Sequence, residues 1–126
     1  MSSSASTAAT IALVTRFENG FNARDVDALM ADMTEDTVFE HVAPPAVSFG
    51  RYEGQAAVRA VWESLDEHFP GHRWEVTDIF ADGDRCACRY TLRWRLPDGG
   101  EGVGRGVDLF RIRDGKIAEK ITFMTL

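Results

Sequence analysis

Hydrophobic residues recur at helical spacing near the start of the chain. They stand three or four residues apart at Ile11, Val14, Phe17 and Phe21. This spacing predicts an amphipathic helix that ends near Asn22, with Thr7 or Thr10 as its N-cap. The preceding residues 1–7, rich in Ser and Ala, are expected to form a frayed lead-in to a single domain over residues 8–126.

Two further helices are predicted before Pro70. Asp25 is placed to cap a short helix with an apolar face at Val26, Leu29, Met30 and Met33. Residues 37–42 are β-branched and aromatic enough for a short strand, and residues 43–53 are expected to form a loop. A third helix opens after Gly54. Its apolar face is Val58, Val61, Trp62, Leu65 and Phe69.

The rest of the chain alternates between apolar and polar residues with a period of two. The pattern predicts strands over 72–80, 85–96, 101–113 and 116–126. Asp114-Gly115 is a strong hairpin signal between the last two strands. Helices followed by an antiparallel sheet give an α+β domain. A twisted sheet wrapped around helices leaves a concavity, where pockets for small ligands commonly form.

Composition narrows the function classes. The chain has 126 residues, 44% of them hydrophobic, and a formal net charge of −6. No basic excess is present to bind nucleic acid or an anionic membrane, so neither is an expected partner. The first residues match neither a signal peptide nor a membrane anchor, and we expect a cytoplasmic protein. Cys86 and Cys88 are predicted to be small buried hydrophobes that face the same way.

Asp108 is the first candidate for chemistry. Alternation places its carboxyl among the apolar side chains Phe110 and Ile112, beside the space left by Gly104 and Gly106. In such surroundings its pKa is expected to rise, so that a protonated Asp108 donates a hydrogen bond to a developing oxyanion. The alternative is a carboxylate paired with an arginine. The arginines available for this are Arg93, Arg95 and Arg105.

His41 is the second candidate. It shares a strand face with Thr37 and Phe39, and an imidazole facing a pocket there is a possible general base or acid. The alternatives are a satisfied core histidine or one exposed beside the Pro44-Pro45 loop. We find no phosphate-binding loop, no metal-ligand cluster and no nucleophile elbow, and expect no metal and no cofactor.

Several segments resemble the NTF2-like superfamily, and within it the SnoaL-like polyketide cyclase and ketosteroid isomerase group. They are FNARDVDAL at 21–29, EDTVFEH at 35–41, Gly54, and GVDLFRIRDGKI at 106–117. The resemblance covers nearly the whole chain. It implies a cone of three N-terminal helices packed on a strongly curved, mostly antiparallel sheet.

The resemblance also implies a site. The isomerases' general base falls on His41, and their protonated oxyanion-hole aspartate falls on Asp108. Their oxyanion-hole tyrosine falls on Phe17, which has no hydroxyl. The residues expected to line an apolar substrate pocket are Phe17, Phe39, Trp62, Tyr90, Trp94, Phe110 and Phe123.

Two functions follow from this resemblance. The first is a cofactor-free isomerase, dehydratase or cyclase in which His41 abstracts a proton alpha to the carbonyl of a small hydrophobic compound. The second is a non-catalytic domain that binds a small ligand or a partner, favoured by the missing tyrosine hydroxyl. A homodimer through the outer sheet face is also expected, where Val103, Val107 and Leu109 are placed.

Overall fold

The computed structural model describes residues 3–42 and 50–125, with side chains from residue 6 onward. The elements are α1 (Ser3–Ala23), α2 (Val26–Ala31), β1 (Met33–Val42), β2 (Gly50–Glu53), α3 (Gln55–Glu63), α4 (Leu65–His68), β3 (Arg73–Asp82), β4 (Arg85–Arg95), β5 (Glu101–Arg113) and β6 (Lys116–Thr125). The strands form one sheet in the order β2-β1-β6-β5-β4-β3. Only the β1–β6 pair is parallel among these strands. The predicted α+β architecture with helices on a curved, mostly antiparallel sheet is confirmed.

Local signals in the sequence form the turns and caps that were predicted from them. The Asp25 carboxylate accepts a hydrogen bond from the Ala28 backbone N–H at 3.1 Å and caps α2. Gly54 opens α3 with a φ of 88°, a region that glycine enters without steric cost. Asp114 and Gly115 both have positive φ, as the tight hairpin turn between β5 and β6 requires.

The first helix differs from its prediction at the N-terminal end. The structure continues α1 back to Ser3, through residues that the sequence placed in a frayed lead-in. Thr7 and Thr10 therefore lie inside the helix and cap nothing. Their hydroxyls instead bind the β3–β4 turn: Thr7 Oγ1 accepts from the Gly83 N–H at 2.8 Å, and Thr10 Oγ1 donates to the Gly83 carbonyl at 2.6 Å. These two bonds fasten α1 to the far edge of the sheet.

Two other boundaries also differ. The third predicted helix is divided at Ser64, whose hydroxyl donates to the Val61 carbonyl at 2.8 Å and competes with the helical pattern. The predicted loop contains a short edge strand, β2, which pairs with β1 from Val38↔Glu53 to His41↔Gly50. The remainder of that loop, residues 43–49, lies outside the described residues.

The hydrophobic core lies between the helices and the inner face of the sheet. Alternation in β4 is confirmed, with Cys86, Cys88, Tyr90 and Leu92 all buried. A free thiol in this setting is inert, because burial raises the pKa of Cys86 to about 11. None of the helices in the described parts of the chain has the length and apolar character needed to cross a membrane.

Candidate functional site

The registers of four strands place the predicted site residues in one row across the inner face. His41 lies beside Thr122, Thr122 beside Asp108, and Asp108 beside Cys88. His41 and Asp108 therefore share the inner face of the sheet, and both are buried. They are separated by two strand spacings, about 10 Å between backbones. The Thr122 hydroxyl between them hydrogen-bonds the Tyr90 hydroxyl at 2.7 Å.

A buried lysine occupies the neighbouring row. Lys120 lies between Phe39 on β1 and Phe110 on β5, and its side chain is only 5% exposed. Its Nζ is 3.7 Å from Asp108 Oδ2. The partner of Asp108 is not one of the arginines considered from the sequence. Arg93, for example, forms an ion pair with Glu101 at 2.8 Å on the surface. The observed partner of Asp108 is Lys120.

Four aromatic rings surround the lysine ammonium group. The distances from Lys120 Nζ to the ring centroids are 4.6 Å for Phe21, 4.9 Å for Trp62, 5.2 Å for Phe39 and 5.8 Å for Phe17. We call these four rings the aromatic cage. Ring faces carry partial negative charge and attract a cation, so the cage and Asp108 together offset part of the cost of burying the ammonium.

Helix α1 adds a second buried carboxyl to this cluster. Glu18 is 2% exposed and follows Phe17 of the cage directly in sequence. Burial, and then the negative charge of Asp108, raises the pKa of Glu18 well above its usual range, while Lys120 opposes the rise. Glu18 is therefore favoured in its protonated, neutral form.

Several polar atoms of this cluster have no hydrogen-bond partner among the described residues. They are Glu18 Oε1, His41 Nε2, Trp62 Nε1 and both carboxylate oxygens of Asp108. Buried polar atoms are nearly always paired, because each unpaired one costs about 1–3 kcal/mol. The two carboxyls satisfy each other in part, since a hydrogen bond between protonated Glu18 and Asp108 is one cause of the raised Glu18 pKa. Among the described residues, His41 Nε2 and Trp62 Nε1 are the atoms open to water or a polar ligand.

The electrostatics of His41 follow from its surroundings. Burial, followed by repulsion from the charges of Lys120 and His68, lowers the pKa of His41 from 6.5 to about 4. At neutral pH the imidazole is therefore uncharged and carries a free lone pair. Its Nε2 is buried without a hydrogen-bond partner among the residues described.

A small cavity brings His41 and Lys120 together. Both contribute to its wall, together with Phe39, Trp62 and Thr122. Its volume is about 30 Å³, which is room for about two water molecules. Asp108 contacts Lys120 but does not line the wall.

The remaining residues predicted to line the pocket are divided between three places. Phe110 is buried and packs against Phe17 of the cage, with ring centroids 6.0 Å apart. Tyr90 is buried above Gly106, where an added Cβ would meet its hydroxyl at 2.3 Å. The space attributed to Gly106 is thus filled by Tyr90.

Trp94 and Phe123 lie away from the cavity. Trp94 packs on Phe69 in a second hydrophobic cluster, over Gly102. Phe123 is 45% exposed and points to the outer face of the sheet. The reason is a register shift in the β5–β6 pair, where Arg111 faces Glu119 but Ile112 faces Ile117. This irregularity buries Ile117 and Ala118 in succession and turns Lys120, Thr122 and Met124 inward.

Lys120 and Glu18 were not predicted as site residues from the sequence. Glu18 could have been found, because it stands four residues after Val14 and three before Phe21 on the buried stripe of α1. Lys120 carries no such signal, since plain alternation from Ile117 places Ile121 and Phe123 inward and the lysine outward. No group of three or more metal-ligating side chains lies together in the part of the chain that the structure describes.

The fold and the site together define the class of protein: an α+β cone whose curved sheet and helices enclose a buried polar cluster. The family model of the SnoaL-like domain matches residues 14–120 of the sequence. The chain therefore belongs to this family, within the NTF2-like superfamily. A comparison with curated proteins found no match.

Solved structures share the fold over most of the chain. An NTF2-like protein of unknown function from Mesorhizobium loti is 30% identical, with a TM-score of 0.75, and the match covers 94% of this chain and 92% of that one. A candidate SnoaL-like polyketide cyclase from Jannaschia sp. CCS1 is 22% identical, with a TM-score of 0.79 over 94% and 86% of the two chains. An NTF2-like protein of unknown function from Burkholderia pseudomallei is 19% identical, with a TM-score of 0.81 over 91% and 89%.

Proposed function

We propose that this protein is a cofactor-free enzyme that abstracts a proton alpha to the carbonyl of a small hydrophobic compound, as in isomerisation, dehydration or aldol-type cyclisation. One observation carries the proposal: His41, whose Nε2 has no hydrogen-bond partner among the described residues, and Lys120 line the same apolar cavity. A lone pair and a positive charge at one buried cavity are the base and the anion stabiliser that enolisation needs.

The roles follow from the contacts. His41 Nε2 takes the α-proton, and its low pKa keeps it unprotonated at every pH above about 5. The Lys120 ammonium stabilises the enolate oxygen, in a site where water no longer screens the charge. Asp108, expected from the sequence to donate to the enolate itself, acts in this proposal by holding Lys120, which it contacts at 3.7 Å.

The cavity volume bears on the substrate. A space of about 30 Å³ admits only a compound of a few non-hydrogen atoms unless the lining side chains move. Substrate trials therefore begin with the smallest ketones and enones, such as butanone and methyl vinyl ketone, and proceed to larger polyketide-like ketones.

The test is exchange of α-hydrogens, which reports proton abstraction without knowledge of the full reaction. In D₂O, NMR follows the loss of the α C–H signals of each ketone with and without protein. We expect exchange above the buffer background with the unmodified chain, and its loss in His41→Phe, which keeps an aromatic ring but removes the base. His72→Asn is the matched control, because His72 is also buried but does not line the cavity; its Nδ1 accepts a hydrogen bond from Trp74 Nε1.

A second function has its own supporting observation. The aromatic cage and its neighbours fill most of the cone, which favours a domain that holds a small ligand without turnover. Ligand-induced shifts of the Trp62 signal without any α-hydrogen exchange, equal in His41→Phe, would support this function against the first.

A further inference from the structure

We propose that Lys120 is an imine-forming lysine, whose Nζ adds to the carbonyl carbon of a small aldehyde or ketone and holds it covalently. This activity goes beyond proton abstraction by His41 and does not depend on it. The observation behind it is an amine at a cavity wall, in an apolar surrounding, whose ion-pair partner among the described residues is a carboxylate 3.7 Å away.

The choice of lysine at this position is informative. The chain has two lysines, Lys116 and Lys120, and every other ion pair among the described residues uses an arginine or a histidine. An arginine at position 120 would pair with Asp108 in two parallel hydrogen bonds and satisfy both of its oxygens. Lysine leaves those oxygens without a hydrogen bond among the residues described, but it supplies an amine. A primary amine can form an imine with a carbonyl compound, which a protonated guanidinium cannot do.

The position of Asp108 allows the first proton transfer. An ammonium group must lose one proton before its nitrogen can attack, and Asp108 Oδ2 at 3.7 Å is the acceptor that faces it. The distance exceeds that of a charge-assisted hydrogen bond, so the lysine is not held in a tight pair and a small shift of its side chain is enough.

The complete step balances. The nitrogen lone pair of Lys120 forms a C–N bond with the carbonyl carbon, and the C=O π electrons move to oxygen, which takes the proton from Asp108. The carbinolamine nitrogen still carries two protons and a positive charge; one of these protons leaves with the hydroxyl group as water, and a protonated C=N bond remains. No oxidant, reductant or cofactor enters this step.

The aromatic cage suits the product as well as the free lysine. A protonated imine is a cation at the same nitrogen, and the four ring faces at 4.6–5.8 Å would stabilise it as they do the ammonium. The uncharged His41 lies on the same cavity wall and is placed to move a proton at the carbon next to the imine.

The experiment is reductive trapping. The full chain is incubated with propanal and sodium cyanoborohydride at neutral pH, and the modified residues are located by peptide mass spectrometry. We expect Lys120 to acquire a propyl group faster than the exposed Lys116 and the N-terminal amine. Labelling confined to Lys116 and the N-terminus would overturn the proposal, and so would equal rates at all three.

Two variants and one further condition make the result specific. Lys116→Arg should keep the Lys120 adduct, whereas Lys120→Arg, which preserves the positive charge, should lose it. If Lys120→Arg does not fold, the comparison is made within the unmodified chain, native and in urea. Preference for Lys120 that disappears on unfolding supports the proposal, and preference that persists in urea contradicts it. Because trapping requires no turnover, its failure leaves the proton-abstraction function standing.

Discussion

His41 and Glu18 are buried residues whose pKa values lie outside their ordinary ranges. The two shifts make the stability of the fold depend on pH in opposite directions. Both shifts have burial as their first cause, since an apolar surrounding disfavours the charged form of either group. The contribution of each group to the pH dependence of stability can therefore be measured by replacing one residue at a time.

The pKa of His41 predicts a loss of stability in mild acid. Below pH 6.5 the unfolded chain binds a proton at this histidine, while the folded chain does so only near pH 4. As the pH falls from 6.5 to about 4, His41 should therefore lower the free energy of unfolding by about 3 kcal/mol. His41→Asn, which does not titrate, should decline less. Urea denaturation at about pH 7.5 and about pH 4.5 measures the difference.

His72 also contributes to the loss of stability in acid. Its pKa is also lowered by burial, so part of the acid-induced decline should persist in His41→Asn. Identical pH dependence in the variant and the unmodified chain would show that His41 is not buried in solution.

Glu18 predicts the opposite trend. Its raised pKa means that the folded state keeps a proton which the unfolded state releases above pH 4.5. This stabilising contribution is present in full below pH 4.5 and is lost as the pH rises towards the folded-state value. Relative to the unmodified chain, Glu18→Gln should therefore gain stability from about pH 5 to about pH 8. The exposed helical variant Glu63→Gln is the control, and an equal gain there would contradict the assignment.

At the scale of secondary structure, the register shift between β5 and β6 decides which side chains form the site. The pairs from Arg105↔Thr125 to Arg111↔Glu119 keep one register. At Ile112↔Ile117 the register is shifted by one residue. A one-residue shift of this kind exchanges the faces of every later residue. It places Lys120 inside and Phe123 outside.

The glycines of β5 give a second prediction at this scale. A Cβ at Gly106 would meet the buried Tyr90 hydroxyl at 2.3 Å and the Phe123 backbone carbonyl at 2.9 Å, while one at Gly102 would meet only the Trp94 side chain. Because Tyr90 is buried and bonded to Thr122 while Trp94 is partly exposed, Gly106→Ala should destabilise more than Gly102→Ala. We expect a cost of about 1–3 kcal/mol at Gly106, measured by urea denaturation. Equal costs would mean that Tyr90 moves freely.

At the scale of the whole molecule, the outer sheet face carries an apolar patch. Val103, Leu109 and Phe123 are each more than 40% exposed, and Val107 pairs with Phe123 across the two strands. Patches of this kind mark interaction surfaces, and the proposal of a homodimer through this face rests on it.

The dimer proposal predicts an effect of charge at the centre of the patch. Phe123→Glu should convert a dimer to a monomer, because a buried carboxylate without a partner is costly. Light scattering at micromolar concentration measures the mass. Leu96→Glu, an exposed apolar residue just beyond the end of β4, should leave the dimer intact. A monomeric unmodified chain would contradict the proposal.

The sequence by itself determined what depends on local pattern. Helical spacing, the Asp25 cap, the Asp114-Gly115 turn and the alternation of β4 each lie within about ten residues, and all appear in the structure. The alternation grouped His41 with Phe39 and Asp108 with Phe110, and all four side chains are buried in the structure. For Asp108 the alternation did not choose between the two faces, because Val107 and Leu109 make the other face apolar as well.

Only the tertiary structure decided which groups meet. The β5–β6 register, the pairing of β2 with His41's strand and the depth of Glu18 depend on strands and helices distant in sequence. A single local pattern cannot report them, since a one-residue register shift costs little along the chain but inverts a face. The site is for that reason different from the one expected: a lysine and a second carboxyl join His41 and Asp108, and the lysine ammonium, rather than the aspartate, lines the cavity with the histidine.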